Sequence, residues 1–490
     1  MKKIFLSFFI ILSCSACKTG ELQVRDQVDA LPSPMLKEYF YDELKPYQQQ
    51  VGETYNHKNK LWWHTFASGD LNRLQRIALQ ENFDILASYA RLKQYAASAH
   101  IAETDYFPLI DTNASIGVND SETKTSRYGE VVANSRDKNR LGFSASYEVD
   151  VWGRVRSAYN AEKMRFVASR DDLQTAAMTI SAKVANTWAE LLGNNAEIKI
   201  VKDQIEVNES LVKLQKVRFS NSLVSSLDVL QQEEVLASSK AELPELLQKS
   251  VELKNSLSVL LGQLPGNLPK FTEDAPLPIV LSIPDPGLPV ELLMFRPDIR
   301  SAWAKVQASH FDVAMVNALR FPRIKLSISH VFDSADLSLL FANWTNDLLA
   351  SLTYTIFDAG KKKFDYHKMK AVAEEALVNY AKTVAIAISE VNNAMAKEYA
   401  QQEKLRLLEK QYVMAKSATR GALNAYLEGS EDILRFLSLL QSTQNLERTI
   451  AKQRVNVVQV RINLYKALGN MYFPEEQISL FVQKEEIDVK

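Results

Sequence analysis

The feature that most constrains this chain is an unbroken alternation of apolar and polar residues around position 146. Every odd position from 141 to 151 is apolar, and the even positions between them are small, polar or acidic. The apolar positions are Leu141, Phe143, Ala145, Tyr147, Val149 and Val151. Because successive side chains of a strand point to opposite faces, this pattern predicts a strand with one apolar face.

Three further segments, at 110–118, 324–329 and 348–356, alternate in the same way. Strands of about 9–11 residues with this pattern are typical of strands that cross a membrane. A water-soluble sandwich with one wet face gives the same alternation, so both interpretations stay open. The stretch 119–140 is rich in Ser, Thr, Asn and Arg, and we expect an exposed cell-surface turn there.

The membrane interpretation has a geometric consequence. An open sheet edge is not tolerated in lipid, and known transmembrane barrels have eight strands or more. Four spanning strands must therefore share a barrel with other copies of the chain. Two copies give a barrel with a packed interior, whereas three copies leave a lumen.

Proline positions predict long helices. Seven of the 15 prolines lie between Pro265 and Pro289, which indicates an extended linker over 265–290. No proline lies between Pro322 and Pro474, which predicts very long helices in that stretch. Residues 154–220 and 361–428 could each form about 100 Å of helix. Shorter helices at 227–262 and 430–468 are predicted to return as antiparallel coiled-coil hairpins. An amphipathic helix is predicted over Leu74–Leu92.

The two halves of the chain repeat one another. Phe107-Pro108 recurs as Phe321-Pro322, 214 residues later, and the break at Gly153 recurs at Gly360. A period this long indicates a duplicated domain rather than a solenoid. We therefore predict a first repeat at 60–264 and a second repeat at 291–474, each with a helix, two strands and a long helical hairpin. A charged tail follows at 475–490.

The N-terminus has the features of a lipoprotein signal over residues 1–16. Lys2 and Lys3 precede the nine-residue segment Ile4–Leu12, which is apolar except for Ser7 and is too short to span a bilayer as a helix. Cys17 is the predicted lipidation position, carrying a covalent lipid such as palmitate, and Cys14 is the alternative. A plain cleaved signal is the competing interpretation. Residues 17–59 then form a lipid-anchored tether.

Several short motifs, spread over residues 60–475, carry a resemblance to a known family. They are Trp62-Trp63-His64-Thr65-Phe66, Ala90-Arg91-Leu92, Tyr147–Arg154, Leu223–Gln231, Arg296-Pro297-Asp298-Ile299-Arg300 and Phe357-Asp358-Ala359-Gly360. With these motifs the chain resembles the TolC-like outer-membrane efflux proteins, in particular the lipidated branch found with tripartite RND-type pumps. The Arg-Pro-Asp-Ile-Arg run after a proline linker is the most specific of them.

The resemblance implies a mainly α-helical fold with a transmembrane β part. Each chain would give four strands to a shared twelve-stranded barrel in a homotrimer, and the long helices would form a coiled-coil tunnel. The protein would be a passive outer-membrane channel for drugs or other toxic compounds, with a role in antibiotic resistance. Its implied partners are outer-membrane lipid, a periplasmic adaptor (membrane fusion) protein and an inner-membrane RND-type pump. It would be lipid-anchored in the bacterial outer membrane and extend into the periplasm.

In this family the tunnel narrows at the hairpin ends. The resemblance implies that Glu431 forms an acidic ring at the periplasmic aperture, with the adjacent Asp432 as a second candidate. Tyr426 and Arg435 are expected to hydrogen-bond across protomers in the closed state. The alternative is that the acidic residues only cap the return helix and match its dipole.

The first hairpin end is the implied adaptor contact. The candidate residues at the two hairpin ends are Leu223, Val224, Ser225, Asp228 and Gly429. The alternative is that Leu223 and Val224 cap the coiled-coil core.

Two departures from the family pattern bear on these expectations. Ser222 stands where relatives carry glycine, so the first turn is expected to differ from that at Gly429. Ser438 stands where an acidic residue is common, which argues against a second acidic ring.

Composition argues against other classes of protein. The net charge of −1 removes the basic excess of a nucleic-acid binder. The six histidines lack metal-ligand spacing and no catalytic motif appears, so we predict no enzyme, no metal site and no cofactor beyond the covalent lipid. A conduit for type I protein secretion and a non-channel periplasmic coiled-coil lipoprotein remain the alternative functions.

Overall fold

The computed structural model describes residues 61–124, 131–273, 275–278 and 295–469, without the side chains of 119–136. The predicted signal 1–16, the tether 17–59 and the tail 475–490 lie outside the described residues, as do Cys14 and Cys17. The predicted linker 265–290 is described only as far as 278, apart from residue 274.

Seven α-helices and two 3-10 helices are found in the described ranges. The α-helices are α1 Gly69–Glu81, α2 Phe83–Thr104, α3 Arg154–Ser220, α4 Ser226–Leu260, α5 Pro297–Ala318, α6 Lys361–Leu427 and α7 Ile433–Ala467. The 3-10 helices are Trp62–Phe66 and Leu337–Ala342. The long helices expected at 154–220 and 361–428 are present as α3 and α6. Within the described ranges, no helix has an apolar stretch long enough to cross a membrane.

The helix lengths match between the two halves. Helices α3 and α6 each have 67 residues, and their return helices α4 and α7 each have 35. Helix α4 contains Pro244, which leaves one carbonyl of the preceding turn without its helical hydrogen bond.

The predicted single helix over Leu74–Leu92 is wrong, because the chain forms two helices that meet at Asn82. Asn82 has an extended backbone, with φ −64° and ψ 129°. Its side-chain oxygen accepts hydrogen bonds from the backbone N–H groups of Asp84 and Ile85, at 2.9 and 3.2 Å. An asparagine that caps a new helix inside an apolar periodic segment ends the first helix without disturbing the hydrophobic pattern.

The four strands form one antiparallel sheet in the order β1-β2-β3-β4, with β1 Leu109–Lys124, β2 Val131–Val149, β3 Arg323–Ser334 and β4 Trp344–Thr353. The register aligns the alternating residues of all four strands. Rows such as Ile110–Ala145–Ile328–Leu348 cross the sheet on one face, and serine-rich rows such as Asp111–Ser144–Ser329–Asp347 lie on the other. The apolar face is exposed, with Leu348 at 83% of its full exposure.

The predicted loop at 119–140 is also wrong, since the ladder between β1 and β2 continues as far as Lys124 and Val131. Strands β1 and β2 have 16 and 19 residues and exceed the predicted length, because backbone pairing continues beyond the apolar alternation. At their other ends the strands are shorter than predicted. Strand β2 ends at Val149 rather than 151, and β4 ends at Thr353 rather than 356.

The described residues divide into two compact units, each with segments from both halves of the chain. The sheet unit comprises Arg91–Arg170 and Ser301–Tyr380. The hairpin unit comprises the described parts of Met1–Ala90, Asp171–Arg300 and Ala381–Lys490. In the sheet unit, buried Trp303 packs on the buried ring of Tyr380, with centroids 5.3 Å apart.

The core of the hairpin unit lies between helices that approach closely. A Cβ added to Gly193 of α3 would overlap Cγ2 of Val455 in α7, so only glycine permits this approach. Trp62 is buried and stacks on Tyr465 of α7, with ring centroids 5.8 Å apart.

One ion pair is buried in the core of the hairpin unit. Glu398 and Arg461 are 1% and 4% exposed, and their side chains lie 2.5 Å apart.

Candidate functional site

The second hairpin turns between Leu427 and Ile433. Gly429 has a left-handed backbone with φ 75°, and its N–H donates to the carbonyl of Tyr426 at 3.0 Å. The N–H of Ser430 donates to the carbonyl of Ala425 at 2.9 Å. This pair of hydrogen bonds is a Schellman helix end, which satisfies carbonyls that the last turn leaves free.

The first hairpin ends in the same way, which overturns the expectation that Ser222 makes a different turn. Ser222 is left-handed with φ 59°, and its N–H donates to the carbonyl of Phe219 at 2.9 Å. The N–H of Leu223 donates to the carbonyl of Arg218 at 2.9 Å. Serine takes this conformation at a cost that glycine avoids, so the hydrogen bonds rather than the residue type determine the turn.

A capping box begins the return helix α4. The hydroxyl of Ser225 accepts from the N–H of Asp228 at 3.3 Å, and the Asp228 carboxylate accepts from the N–H of Ser225 at 2.7 Å. The hydrogen bonds from the Ser225 hydroxyl and N–H lower the pKa of Asp228 below its ordinary value of 3.8. Asp228 is therefore a structural anion at neutral pH, and this accounts for its position at the turn.

The two acidic candidates of the second hairpin do different things. Asp432 is the N-cap of α7, and its carboxylate accepts from the N–H of Leu434 at 3.2 Å. Glu431 instead forms an exposed ion pair with Arg435, one helical turn later. Asp432 therefore caps the return helix, which is the role predicted as the alternative for the acidic residues. The Glu431 carboxylate does not cap the helix.

Tyr426 packs within the chain. Its ring lies 4.9 Å from the guanidinium carbon of Arg218, the last basic residue of α3. It also packs against a cluster formed by buried Ala422, Ile433 and Phe436. Arg218 was not predicted from the sequence, because nothing in a helix-terminal arginine indicates an aromatic partner some two hundred residues away.

The first hairpin end carries exposed apolar side chains. Leu223, Leu227 and Leu230 are exposed at 65%, 70% and 61%. Val224 is half-buried. Leucines at this level of exposure do not cap a closed core, and they form an apolar surface open to a partner.

The described ranges contain no group of three or more His, Cys, Asp or Glu side chains arranged to hold a metal ion. The arrangement at the hairpin ends serves helix capping, since the Ser225 hydroxyl donates to the Asp228 carboxylate within the capping box. Its features are charged side chains at two turns, an arginine–aromatic contact that joins the turns, and an apolar surface beside them.

The comparison with known families identifies the chain. The sequence pattern of the family described as Outer membrane efflux protein matches residues 74–263 and 288–470. The chain belongs to the outer membrane efflux protein family. The two matched segments each span two strands and one long helical hairpin of this structure.

Individual members of the outer membrane efflux protein family agree with this assignment. The chain is 28% identical over 421 residues to the pyoverdine export outer membrane protein OpmQ of Pseudomonas aeruginosa, covering 85% of this chain and 88% of OpmQ. It is 26% identical over 418 residues to the toluene efflux pump outer membrane protein TtgC of Pseudomonas putida, covering 84% and 86%. Its fold is similar to that of the outer-membrane channel OprN, with a TM-score of 0.81, 27% identity and coverage of 86% and 94%.

Proposed function

We propose that this protein is the outer-membrane channel of a tripartite efflux system. In this proposal it conducts small molecules passively from an inner-membrane RND-type pump and a periplasmic adaptor to the exterior. The observation that carries the proposal is the exposed apolar face of the four-stranded sheet, together with membership of the outer membrane efflux protein family. An exposed apolar face of this size is stable when lipid covers it.

The open sheet argues for an oligomer. Strands β1 and β4 are edges of the sheet, and each carries unpaired backbone groups along one side. In lipid those groups must be paired, which copies of the same chain achieve by closing a barrel. Three copies of a four-stranded sheet make a twelve-stranded barrel wide enough for a lumen, which would be lined by the serine-rich face.

A duplicated origin accounts for the matched helix lengths. Helices of 67 and 35 residues occur in each half, and both outgoing helices end in Schellman turns. We infer that the halves, at 60–264 and 291–474, are repeats of one unit joined by the proline-rich linker 265–290. The repeated hairpins of three chains would then line the tunnel in alternation.

We propose Glu431 as the acidic ring of the periplasmic aperture. Its carboxylate is held by Arg435 rather than by a helix N-terminus, so it can change partners without unfolding a cap. Tyr426 and Arg218 would hold the two hairpin ends together in the closed state. The exposed leucines of the first hairpin end, at 223, 227 and 230, would contact the adaptor.

Small molecules are the favoured class of cargo, because relatives are named for pyoverdine export and toluene efflux. Protein secretion through the same fold is the alternative function. We further propose that Cys17 carries the lipid anchor, with Cys14 as the alternative, and that the protein lies in the outer membrane and extends into the periplasm.

Single-channel conductance of the purified, lipidated protein in a planar bilayer tests the proposal. We expect small discrete openings from the wild-type protein, and larger or more frequent openings from Glu431→Ala. Glu403→Ala is the matched control, because Glu403 forms an exposed ion pair with Arg406 within α6, far from the turn. Folded, oligomeric protein that gives no conductance in either variant would overturn the channel.

The comparison between variants separates the gate from the channel. A wild-type channel with the same conductance in Glu431→Ala and Glu403→Ala keeps the channel and removes Glu431 as its gate. An equal increase in both variants would show that the loss of any exposed carboxylate from the second hairpin raises the conductance, and would also remove Glu431 as the gate.

A further inference from the structure

The connection between β3 and β4 is a short 3-10 helix with an unusual surface. Leu337–Ala342 has the sequence Leu-Ser-Leu-Leu-Phe-Ala, and none of its residues is buried. Leu337, Leu339 and Phe341 are exposed at 61%, 53% and 67%. Strand connections are ordinarily polar, so three exposed large apolar side chains in six residues require an explanation.

Two contacts place this helix on one side of the sheet. The ring of Phe341 packs edge-on against Phe332, with centroids 5.2 Å apart. Phe332 pairs with Leu141 and with Trp344, so its side chain belongs to the apolar face. The amide of Asn139, on the same face two residues along β2, donates to the carbonyl of Ala335 at 3.2 Å. The connection therefore folds over the apolar face and away from the serine-rich face.

A second aromatic cluster lies at the opposite end of the apolar rows. Trp152 stacks on Phe321 with centroids 4.9 Å apart, and its indole N–H donates to the carbonyl of Pro322 at 2.7 Å. Phe332 lies eleven positions after Phe321 in the sequence. At about 3.4 Å per residue and a tilt of about 40°, that separation corresponds to roughly 28 Å along the membrane normal. This is close to the apolar band of about 25 Å in outer-membrane barrels, so both clusters lie at its boundaries.

We propose that the 3-10 helix Leu337–Ala342 is an interfacial anchor that inserts its apolar side chains into the outer leaflet of the membrane. Its occupant is the lipid surface that also covers the apolar sheet face. Continuity decides this, because Phe341 packs on Phe332, and Phe332 pairs with Trp344 on the same face as Ile328 and Leu348. The one row between them pairs His330 with Asn346, and the His330 ring itself packs against Phe332 and Trp344. A helix that closed the mouth of a channel would lie on the serine-rich face instead. The proposal rests on the proposed membrane location of the sheet.

The helix also has a polar edge suited to this position. Asp336 is its N-cap, and its carboxylate accepts from the N–H of Ser338 at 2.9 Å. Leucine and phenylalanine on one side with Asp and Ser at the start form a short amphipathic segment. In the proposed orientation Asp336 and Ser338 remain among headgroups and water while the apolar side chains enter the acyl region.

Tryptophan fluorescence in proteoliposomes tests the anchor. We would make Leu339→Trp in a background that carries Trp152→Phe and Trp344→Phe, because these two tryptophans are exposed and the other four are buried. The full chain would be reconstituted into vesicles of phosphatidylcholine brominated either near the headgroup or near the chain end, and the signal of the added tryptophan would be read as the difference from the background protein. The added tryptophan is expected to lose more fluorescence to the headgroup-proximal bromines than to the deep ones. It is also expected to be shielded from acrylamide in the water phase.

Two control variants test separately whether the sheet itself lies in the membrane. Leu348→Trp lies on the apolar face and is expected to be quenched most by the deep bromines. Leu349→Trp lies on the serine-rich face and is expected to be quenched by acrylamide instead. If the two controls show the same quenching, the proposal that the sheet lies in the membrane is wrong.

If the controls differ but Leu339→Trp is quenched by acrylamide alone, the proposed channel stands and the anchor is wrong. Protection of Leu339→Trp from both quenchers would also overturn the anchor, because it would place the helix against another protein surface.

Discussion

The guanidinium carbon of Arg218 lies 4.9 Å from the centre of the Tyr426 ring, so the ends of the two hairpins are joined by one cation–aromatic contact. The two residues belong to different helices and to different halves of the chain. A contact of this kind stabilises by about 0.5–1 kcal/mol at an exposed position. In the proposed trimer, three copies of this contact would add to the barrier to opening.

Loss of the Arg218 side chain should favour the open state. Arg218→Ala removes the contact with Tyr426, so we expect more frequent openings in planar bilayers than in the wild-type protein. Arg218→Lys should lie between the two, because lysine keeps the cation and loses the planar stacking. Arg406→Ala is the control, since Arg406 pairs only locally with Glu403. Equal open probabilities in Arg218→Ala and the control would contradict this role.

Substitution of the two left-handed turn residues, Ser222 and Gly429, should change the stability of their helix ends in opposite directions. Ser222→Gly is expected to stabilise the end of α3 by about 0.5 kcal/mol, because relief of the left-handed penalty exceeds the entropy that glycine loses on folding. Gly429→Ala is expected to destabilise the end of α6 by about 1 kcal/mol. An added Cβ at Gly429 meets no atom within 4 Å, so the cost is purely conformational.

Hydrogen exchange at the two turns measures both effects. The N–H groups of Ser222 and Leu223 should exchange more slowly in Ser222→Gly, and those of Gly429 and Ser430 faster in Gly429→Ala. One kcal/mol corresponds to about a fivefold change in rate when exchange occurs through local opening. Faster exchange in Ser222→Gly would show that the serine side chain stabilises the turn.

The buried pair of Glu398 and Arg461 should tolerate joint replacement better than single replacement. Glu398→Ala removes the Glu398 carboxylate from a buried guanidinium and is expected to cost about 3–5 kcal/mol. The double variant Glu398→Leu with Arg461→Met should recover most of this loss, because two apolar side chains need no solvation. Thermal unfolding of the detergent-purified protein measures the difference. A double variant no more stable than Glu398→Ala would show that the pair contributes specific structure.

The first hairpin end should keep its stability until the pH is acidic. Because the folded-state pKa of Asp228 is lowered, its contribution is fully present above the ordinary value of 3.8 and is lost as the pH falls through the lowered value. Exchange at the start of α4, corrected for intrinsic rates, should therefore be equally protected at pH 7 and pH 5 and less protected below the ordinary value. Asp228→Asn should lack this additional loss, and a loss already complete at pH 5 would contradict the lowered pKa.

Local patterns in the sequence predicted much of the fold. The alternation over Leu141–Val151 located the apolar face of the sheet, and the proline-free stretch located α6 within one residue. The break at Asn82 could not be predicted from periodicity, because the apolar spacing continues through it while a single side chain caps the new helix. The lengths of β1 and β2 were underestimated, because their backbone pairing continues beyond residue 118 and needs no apolar side chain.

The candidate site was less accessible to sequence reasoning. The turns at Ser222 and Gly429 were located correctly, because Ser, Gly and Asp mark helix ends. Their interactions were not predicted, since the partner of Tyr426 is a distant arginine and the partner of Glu431 is Arg435, in the first turn of α7. Such contacts depend on how helices align in space, which spacing along one helix does not determine.

The equal helix lengths limit how this protein can change size during evolution. Deleting seven residues from each helix of one hairpin would draw its turn back by about 10 Å and separate Arg218 from Tyr426. The same deletion made in both hairpins would leave that contact intact. In the proposed trimer, the length of the tunnel would therefore be a paired trait, and a change in that length would require matched changes in both halves of the chain.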